Sequence, residues 1–235
     1  MGEKVNESRQ AFFKQSLLST VLLGVMMTIF YVSAGRTDIP RSYLFIVVTF
    51  IHFIGSNLAL YRYDPELLIQ RLKIRRKGSK TWDEILMRVS NLTALLVMPI
   101  VAGLDIGRYH WSSLGIEYAV LGIILAVASS VMLNWAMITN PYFEPTVRIQ
   151  EEREHHVIST GPYAIIRHPG YLAGILWLAA TPLILGSLYS FTAFALYAAL
   201  MSLRTYLEDK TLQKELTGYK EYASRVKYRL LPGLW

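Results

Sequence analysis

Six stretches of apolar residues follow one another along the 235-residue chain, separated by polar segments. A helix needs roughly 20 apolar residues to cross a bilayer. The first, second and fourth stretches meet that length, and the third meets it marginally. The last two are shorter, and only Gly186 and Ser187 separate them, which predicts a helical hairpin. The pattern predicts an all-α, polytopic integral membrane helix bundle with about six transmembrane segments. They are Ser16–Ala34, Tyr43–Tyr61, Asn91–Gly107, Leu114–Ile138, Tyr171–Gly186 and Leu188–Leu203.

The lysines and arginines predict the orientation of this bundle. With six crossings, one side of the membrane receives the N-terminus, residues 62–89, residues 140–170 and the tail from residue 204. That side carries 21 of the 24 basic residues. The other side receives the remaining three: Arg36, Arg41 and Arg108. Because cytoplasmic loops carry an excess of lysine and arginine, we expect a multi-pass membrane protein with both termini in the cytoplasm.

The polar segments divide the chain into two unequal halves. Residues 1–139 supply the first four helices and the basic cytosolic loop at residues 62–89. Residues 140–235 supply a polar loop, the hairpin and an amphipathic cytosolic tail helix. Since a hairpin brings its two ends together, residues near 160–171 and 204–208 are expected to be neighbours, which predicts a cytosolic pocket in the second half.

The composition supports a membrane protein. Hydrophobic residues make up 53% of the chain and charged residues 17%, whereas soluble domains carry about 25% charged residues. The absence of cysteine excludes disulfides and thiolate chemistry. The net charge of +7 arises largely from the cytosolic loops, and the basic run at residues 71–77 is expected to face membrane lipid headgroups. No nucleic-acid partner is expected, because no aromatic–basic interleaving accompanies this run.

The stretch TGPYAIIRHPGY, residues 160–171, lies directly before an apolar helix. Pro169 suits the first turn of that helix, where a missing N–H has no cost, and Gly170 with Gly174 would let helices approach closely. This structural interpretation leaves four residues without a role: Tyr163, Arg167, His168 and Tyr171. Interfacial anchoring and a functional site both remain open for them.

Arg204 and Glu208 lie four residues apart and share one face of a predicted helix. They could form an ordinary salt bridge where the helix leaves the membrane. Alternatively, Arg204 could hold an anionic group while Glu208 accepts hydrogen bonds from hydroxyls or an ammonium.

Other polar residues give weaker signals. No metal site is expected from His155, His156 and His168, because adjacent histidines point in different directions and no metal-ligand spacing accompanies them. His52 and Asn57 lie within an apolar segment and are expected to face the bundle interior. Asp105 lies near an outer helix end and is expected to be solvated.

Three stretches carry a family resemblance. They are QEEREHHVISTGPYAIIRHPGY at residues 150–171, RTYLED at residues 204–209 and GYKEYASRV at residues 218–226. Together they resemble the isoprenylcysteine carboxyl methyltransferase family and its prokaryotic relatives, and the related phospholipid methyltransferases share the GPY…RHPxYxG core. The resemblance covers roughly residues 140–235 and is less distinctive in the first four helices.

The resemblance implies an integral membrane methyltransferase that binds S-adenosylmethionine in a cytosol-facing pocket without a Rossmann domain. It puts Arg204 against the substrate, and we take Arg204 and Arg167 as the candidate catalytic residues. Asp209 follows Glu208 as a further acidic residue, and Lys210 after it is a mild departure from the family pattern. The implied cofactor-binding residues are Gln150, His155, His156, Val157, Ile158, Tyr163, His168, Pro169, Gly170, Tyr171 and Glu208.

The residue types fit methyl transfer. A sulfonium cation is well held near aromatic faces, and Tyr163 and Tyr171 supply two. A carboxylate acceptor is already ionised at neutral pH and needs no general base, and Arg204 could orient it bidentately. We therefore expect carboxyl O-methylation of a lipophilic or lipidated acceptor that enters from the bilayer.

Three alternatives stay open. A phospholipid-type N-methyltransferase would need a base to deprotonate the amine, and His168 is the candidate. An NADPH-dependent sterol or isoprenoid reductase is the second, because the tail YKEYASRVKYRLLP, residues 219–232, resembles that of membrane sterol reductases. The third is a non-enzymatic membrane scaffold or transporter subunit.

Overall fold

The computed structural model describes residues 2–73 and 78–235, which form helices joined by irregular connections. The all-α prediction is confirmed. Part of the basic run, residues 74–77, lies outside the described residues. The helices are α1 (Gly2–Ala34), α2 (Pro40–Tyr63), α3 (Pro65–Arg71), α4 (Thr81–Tyr109), α5 (Ile116–Thr139), α6 (Pro169–Leu185), α7 (Phe191–Glu215) and α8 (Tyr219–Arg225).

Four of the described helices, α1, α2, α4 and α5, are long and apolar enough to cross a membrane. The helix α6 is apolar but shorter. Large apolar side chains on the outer faces are exposed, among them Leu17 at 66%, Ile51 at 64% and Ile124 at 58%. An apolar surface of this extent needs a lipid environment, so the predicted multi-pass membrane architecture is confirmed at this level.

The helix α4 is longer than the apolar pattern predicted. It begins at Thr81 rather than at Asn91, so residues 81–89 belong to a helix and not to the loop assigned to residues 62–89. Its first turn contains Asp83 and Glu84, whose negative charges favour a helix N-terminus. The hydropathy pattern detected only the lipid-facing part of this helix.

The turns at the end of the bundle opposite the 140–168 loop are fixed by arginines. Arg41 donates from Nε to the carbonyl of Ile184 at 2.8 Å, near the end of α6. Arg108 donates to the carbonyls of Ser33 at 2.9 Å and Val32 at 3.0 Å, near the end of α1. The last carbonyls of a helix have no partner within it, so these contacts satisfy acceptors that would otherwise be unpaired.

The expectation that Asp105 is solvated is wrong. Its side chain is 0% exposed and accepts hydrogen bonds from the backbone N–H of Ser112 at 2.8 Å, the hydroxyl of Ser187 at 2.5 Å and the N–H of Tyr189 at 3.2 Å. The two turns that contain Ser112 and Ser187 are distant in the sequence, and both fold over this carboxylate. It is therefore a structural acceptor that joins the connections after α4 and after α6.

The connection between α6 and α7 covers residues 186–190, which is longer than the predicted pair of residues. Gly186 ends α6 with a φ of 90°, a left-handed conformation that glycine adopts without strain. The helix α6 packs along α5, and the hydroxyl of Ser129 donates to the carbonyl of Ala173 at 2.7 Å. This packing fixes the start of α6, where the polar residues lie.

The loop at residues 140–168 folds over the ends of α6 and α7. It contains two short 3₁₀ turns, Glu151–Arg153 and Gly161–Ala164. Tyr163 from this loop packs in an apolar cluster with Tyr219 and Tyr222 of α8. The loop is thereby attached to the C-terminal part of the chain.

Candidate active site

A cavity of about 310 Å³ lies between the 140–168 loop, the first turn of α6 and the polar half of α7. Pockets for small molecules commonly measure about 300–1,000 Å³. The cavity is lined by every site residue that the sequence singled out: Gln150, His155, His156, Val157, Ile158, Tyr163, Arg167, His168, Pro169, Gly170, Tyr171, Arg204 and Glu208. The fold brings these residues together, and their individual roles stay predictions.

Gln150 is buried at 1% exposure and both ends of its amide are bonded. Nε2 donates to the carbonyl of Tyr142 at 2.9 Å, and Oε1 accepts from Nη1 of Arg153 at 2.9 Å. Because these bonds connect separate parts of the loop, Gln150 shapes the cavity wall.

The two adjacent histidines surround Tyr142. The ring of His155 lies 4.3 Å from the ring of Tyr142, and Nδ1 of His156 lies 2.8 Å from the Tyr142 hydroxyl. Burial, followed by the nearby cationic groups, lowers the pKa of His155 to about 4, so its imidazole is neutral at neutral pH. Over the part of the chain that the structure describes, no group of three or more His, Asp or Glu side chains could hold a metal ion.

Hydrogen bonds hold Tyr163 in the cavity wall through both its side chain and its backbone. Its hydroxyl accepts a hydrogen bond from Nδ2 of Asn140 at 3.2 Å, and its carbonyl accepts from the hydroxyl of Tyr222 at 2.8 Å. Burial raises the pKa of the Tyr163 phenol above its ordinary value, so the hydroxyl remains protonated. The neighbouring Val157 and Ile158 pack against the same aromatic cluster.

Asp209 of α7 is the centre of a buried network. Its carboxylate is 0% exposed and accepts from Nε of Arg167 at 2.7 Å, Nε of Arg229 at 3.0 Å and the hydroxyl of Tyr219 at 3.1 Å. Nε2 of His168 lies 3.3 Å from the same carboxylate. Burial alone would raise the pKa of Asp209, but His168 and Arg167 hold it well below its usual value through hydrogen bonds and charge.

The guanidinium of Arg167 is engaged within the protein. Besides the bond from Nε, Nη2 donates to Asp209 at 3.0 Å, and Nη1 donates to the carbonyls of Val226 at 2.8 Å and Lys227 at 3.1 Å. Through these contacts Arg167 connects the 140–168 loop to the C-terminal tail. The catalytic role predicted for Arg167 stays a prediction, and its contacts favour a structural one.

The first turn of α6 approaches the loop closely. Pro169 opens the helix, as predicted. A Cβ atom on Gly170 would lie 2.4 Å from the ring of Phe143, which is far below a normal contact, so a larger residue here would have to displace that ring. The rings of His168 and Tyr171 are stacked with centroids 5.6 Å apart. This turn therefore presents two aromatic rings beside the cavity.

Arg204 and Glu208 each have a different partner, and no ion pair joins them within the described residues. Glu208 accepts a hydrogen bond from the hydroxyl of Tyr171. Nε of Arg204 donates to Asp83 at 2.6 Å, and Nη2 donates to the carbonyl of Pro145 at 2.7 Å. The guanidinium carbon also lies 4.8 Å from the centroid of the Tyr171 ring. The simple i,i+4 salt bridge is thus not the arrangement found.

Sequence reasoning missed two residues of this site. Asp83 lies 121 positions before Arg204, and nothing in its local sequence indicates that partner. Asp209 was noted only as a further acidic residue after Glu208. An acidic residue on the apolar face of a helix usually has a buried cationic partner, and that signal could have identified Asp209.

A second, more apolar cavity of about 230 Å³ adjoins the first. Both cavities share four lining residues: Leu133, Gly170, Gly174 and Tyr197. We call this second cavity the inner cavity, and His52 is one of its lining residues. The ring of His52 stacks on Trp177 at 4.0 Å, and its Nδ1 lies 2.7 Å from the hydroxyl of Ser130. Asn57 is 7% exposed, so the prediction that both residues face the bundle interior is confirmed.

Comparison with known proteins gives a consistent set of similarities. The model of the isoprenylcysteine carboxyl methyltransferase (ICMT) family matches residues 121–214. A probable protein-S-isoprenylcysteine O-methyltransferase from Oryza sativa subsp. indica is 28% identical over 109 residues, which are 45% of this chain and 57% of that protein. The chain thus spans little more than half the length of this relative.

Two further similarities extend over most of the chain. The protein-S-isoprenylcysteine O-methyltransferase of Saccharomyces cerevisiae is 24% identical over 215 residues, covering 89% of this chain and 87% of that protein. A solved structure of the eukaryotic intramembrane Ras methyltransferase ICMT aligns with a TM-score of 0.55 and 15% identity. It covers 98% of this chain and 97% of that one, so the two share a fold.

Proposed function

We propose that the chain is an integral membrane enzyme of the isoprenylcysteine carboxyl methyltransferase family, whose model matches residues 121–214, and that it methylates a carboxylate. The methyl donor is S-adenosylmethionine, and the acceptor is a lipidated or lipophilic molecule in the membrane. One observation carries the proposal: Glu208, Arg204 and the RHPGY turn line a single cavity that adjoins an apolar one.

The residues around the first cavity fit S-adenosylmethionine. The methyl donor carries a sulfonium, an ammonium, hydroxyls and a carboxylate. Tyr163 and Tyr171 offer aromatic faces for the sulfonium, and the carboxylate of Glu208 can accept from an ammonium or hydroxyl. The polar loop residues Gln150, His155 and His156 form the rest of the wall. When bound, the donor supplies an electrophilic methyl group.

Arg204 fits a carboxylate acceptor. A carboxylate is ionised at neutral pH, so one of its oxygens attacks the methyl carbon directly. With the donor bound, the carbon–sulfur bond would break as the carbon–oxygen bond forms, and its electron pair would go to the sulfur and leave a neutral thioether. The task of the protein is then to align the carboxylate and to exclude water. The inner cavity offers an apolar space for the lipid part of the acceptor.

Among the alternatives, methylation of an amine needs a catalytic group that methylation of a carboxylate does not. That reaction needs a base to remove a proton before transfer, and His168 is the candidate. Nε2 of His168 lies 3.3 Å from the buried carboxylate of Asp209 and 3.5 Å from the hydroxyl of Tyr219. These contacts leave Nδ1 of His168 as the nitrogen that could accept the proton, whereas a carboxylate acceptor needs no such base and is the simpler fit.

We also propose the finer topology. The six crossings include α6 and α7 as a C-terminal hairpin, and both termini lie in the cytoplasm, because nearly all basic residues fall on one side of such a bundle. The two halves at residues 1–139 and 140–235 then have different tasks: the first builds the membrane scaffold and the second builds most of the cofactor pocket.

Methyl transfer can be tested with the purified protein in detergent, S-adenosylmethionine labelled in its methyl group and N-acetyl-S-farnesyl-L-cysteine as the acceptor. The expected product is a labelled methyl ester, which releases labelled methanol in alkali. In a parallel incubation with lipid extracts in place of this acceptor, a methyl label that alkali does not release would instead indicate N-methylation. Calorimetry that detects NADPH binding and no S-adenosylmethionine binding would overturn the proposal in favour of a reductase.

A further inference from the structure

Asp83 connects the first half of the chain to the candidate acceptor site. It lies in the first turn of α4 and is 0% exposed. One carboxylate oxygen accepts from Nε of Arg204 at 2.6 Å, and the other accepts from the backbone N–H of Val147 at 2.8 Å. A single side chain thus holds both the arginine of α7 and the loop segment beside it.

The contacts of Arg204 leave one part of its guanidinium for a ligand. Nε and Nη2 are engaged by Asp83 and by the carbonyl of Pro145. Within residues 2–73 and 78–235, no protein acceptor is bonded to Nη1. Because Arg204 lines the cavity over the ring of Tyr171, an acceptor carboxylate would meet Nη1, and the orientation of that atom depends on Asp83.

The buried position makes this dependence strong. The side chains of Arg204 and Asp83 are 5% and 0% exposed, so water is a poor substitute for the carboxylate as a partner of the guanidinium. An arginine that loses such a partner carries an uncompensated buried charge, which favours any other orientation of the guanidinium that brings it to water or to another acceptor. The acceptor carboxylate would then be held in a different position relative to the methyl group, and in-line displacement is sensitive to that position.

We propose that Asp83 is a positioning residue that fixes the guanidinium of Arg204 for the acceptor carboxylate. This inference rests on the proposed function and adds a residue from outside the matched range of residues 121–214. The start of α4 then influences acceptor use through Arg204, while cofactor binding depends on the loop and on Glu208.

The test compares Asp83→Asn with the wild-type protein in steady-state kinetics, with N-acetyl-S-farnesyl-L-cysteine as acceptor. Asp83→Asn is expected to lower kcat/KM for the acceptor by about 10- to 100-fold, while the Kd for S-adenosylmethionine from calorimetry stays within about twofold. Glu84→Gln is the matched control, because Glu84 lies in the same turn with its side chain 45% exposed. This control is expected to leave both quantities unchanged.

A second variant separates positioning from charge compensation. Asp83→Glu keeps the buried negative charge, and with it folding, but moves the carboxylate by one methylene. If Asp83 positions Arg204, Asp83→Glu should also lower kcat/KM for the acceptor. If Asp83 only compensates the charge of Arg204, Asp83→Glu should show wild-type kinetics. Wild-type acceptor kinetics in either folded variant, or an equal loss of cofactor affinity and acceptor use, would overturn the role of Asp83.

The wild-type protein distinguishes this inference from the proposed function. If it neither methylates nor binds the farnesylated acceptor, the proposed function fails and the role of Asp83 fails with it. If the wild-type protein is active and the Asp83 variants behave like the Glu84→Gln control, the proposed function stands and only the positioning role is rejected.

Discussion

Glu208 and Asp209 are adjacent acidic residues of α7 with opposite surroundings. Successive residues of a helix point about 100° apart, so one carboxylate lines the cavity beside Tyr171 while the other is enclosed at 0% exposure. The enclosed carboxylate is held by Arg167, Arg229 and Tyr219. At the residue scale, Glu208 is therefore available to a ligand, and Asp209 braces the turn that carries His168.

Removal of the Glu208 carboxylate is expected to abolish cofactor binding without unfolding the protein. In Glu208→Ala, calorimetry should detect no S-adenosylmethionine binding, because the acceptor for its ammonium or hydroxyls is lost. The thermal midpoint should change little, since the hydroxyl of Tyr171 is the one described partner of this side chain. Glu221→Ala, an exposed site on α8, is the control, and wild-type affinity in Glu208→Ala would contradict the assignment.

His155 gives the stability a specific pH dependence. Its pKa is about 4 in the folded protein and about 6.5 when unperturbed, so the unfolded state binds more protons between these values. The free energy of unfolding should therefore be highest above pH 6.5 and fall as the pH drops toward 4, by at most about 1.4 kcal/mol per pH unit. Thermal unfolding at pH 7 and pH 5 checks this, and His155→Gln should reduce the difference. An identical pH dependence in the variant would count against it.

At the scale of elements, the start of α6 forms part of the wall of both cavities. Pro169 begins the helix, and Gly170 allows the ring of Phe143 to lie against the helix backbone. Both cavities share Gly170 as a lining residue. A side chain at this position would displace the ring of Phe143, which itself lines the first cavity.

Gly170→Ala is therefore expected to weaken S-adenosylmethionine binding at least about tenfold, because the added Cβ would lie 2.4 Å from the Phe143 ring and overpacking forces its neighbours to move. Gly55→Ala on α2 is the matched control, since nothing lies within 4 Å of a Cβ built there. That control should keep wild-type affinity and gain slightly in stability. Calorimetry and thermal unfolding measure both variants, and equal affinities would show that the contact is unimportant for the cavity.

At the scale of the whole molecule, the two halves are tied together at the end where the 140–168 loop lies. Asp83 of α4 pairs with Arg204 of α7, and Lys80 pairs with Glu215 at 2.7 Å. The cavity wall also includes Met87 and Leu133 from the first half. The site is therefore a product of the complete bundle, although most of its residues come from residues 140–235.

The proposed orientation can be tested with single cysteines, because the native chain has none. Thr37→Cys lies in the exposed connection between α1 and α2, and Ser224→Cys lies in the exposed part of α8. A membrane-impermeant maleimide added to intact cells should label Thr37→Cys, and Ser224→Cys only after permeabilisation. The unsubstituted chain is the unlabelled control. The reverse labelling pattern would overturn cytoplasmic termini.

The local sequence determined the helices and the membrane architecture, because the free energy of apolar segments in lipid depends mainly on their own composition. It also determined which residues were candidates for the cavity, since the RHPGY turn and the Arg204–Glu208 spacing are local patterns. The length of α4 was missed because its first turns are polar and carry no membrane signal.

Only the tertiary structure decided how the buried charges are paired. Asp83 binds Arg204, Asp209 binds Arg167, and Asp105 binds two distant turns. A charge is stable in a protein interior only beside a partner, and that partner is set by how the helices pack, not by the neighbouring sequence. The sequence alone thus indicated where the polar chemistry lies, and the packing decided which of these side chains face the cavity and which hold its walls.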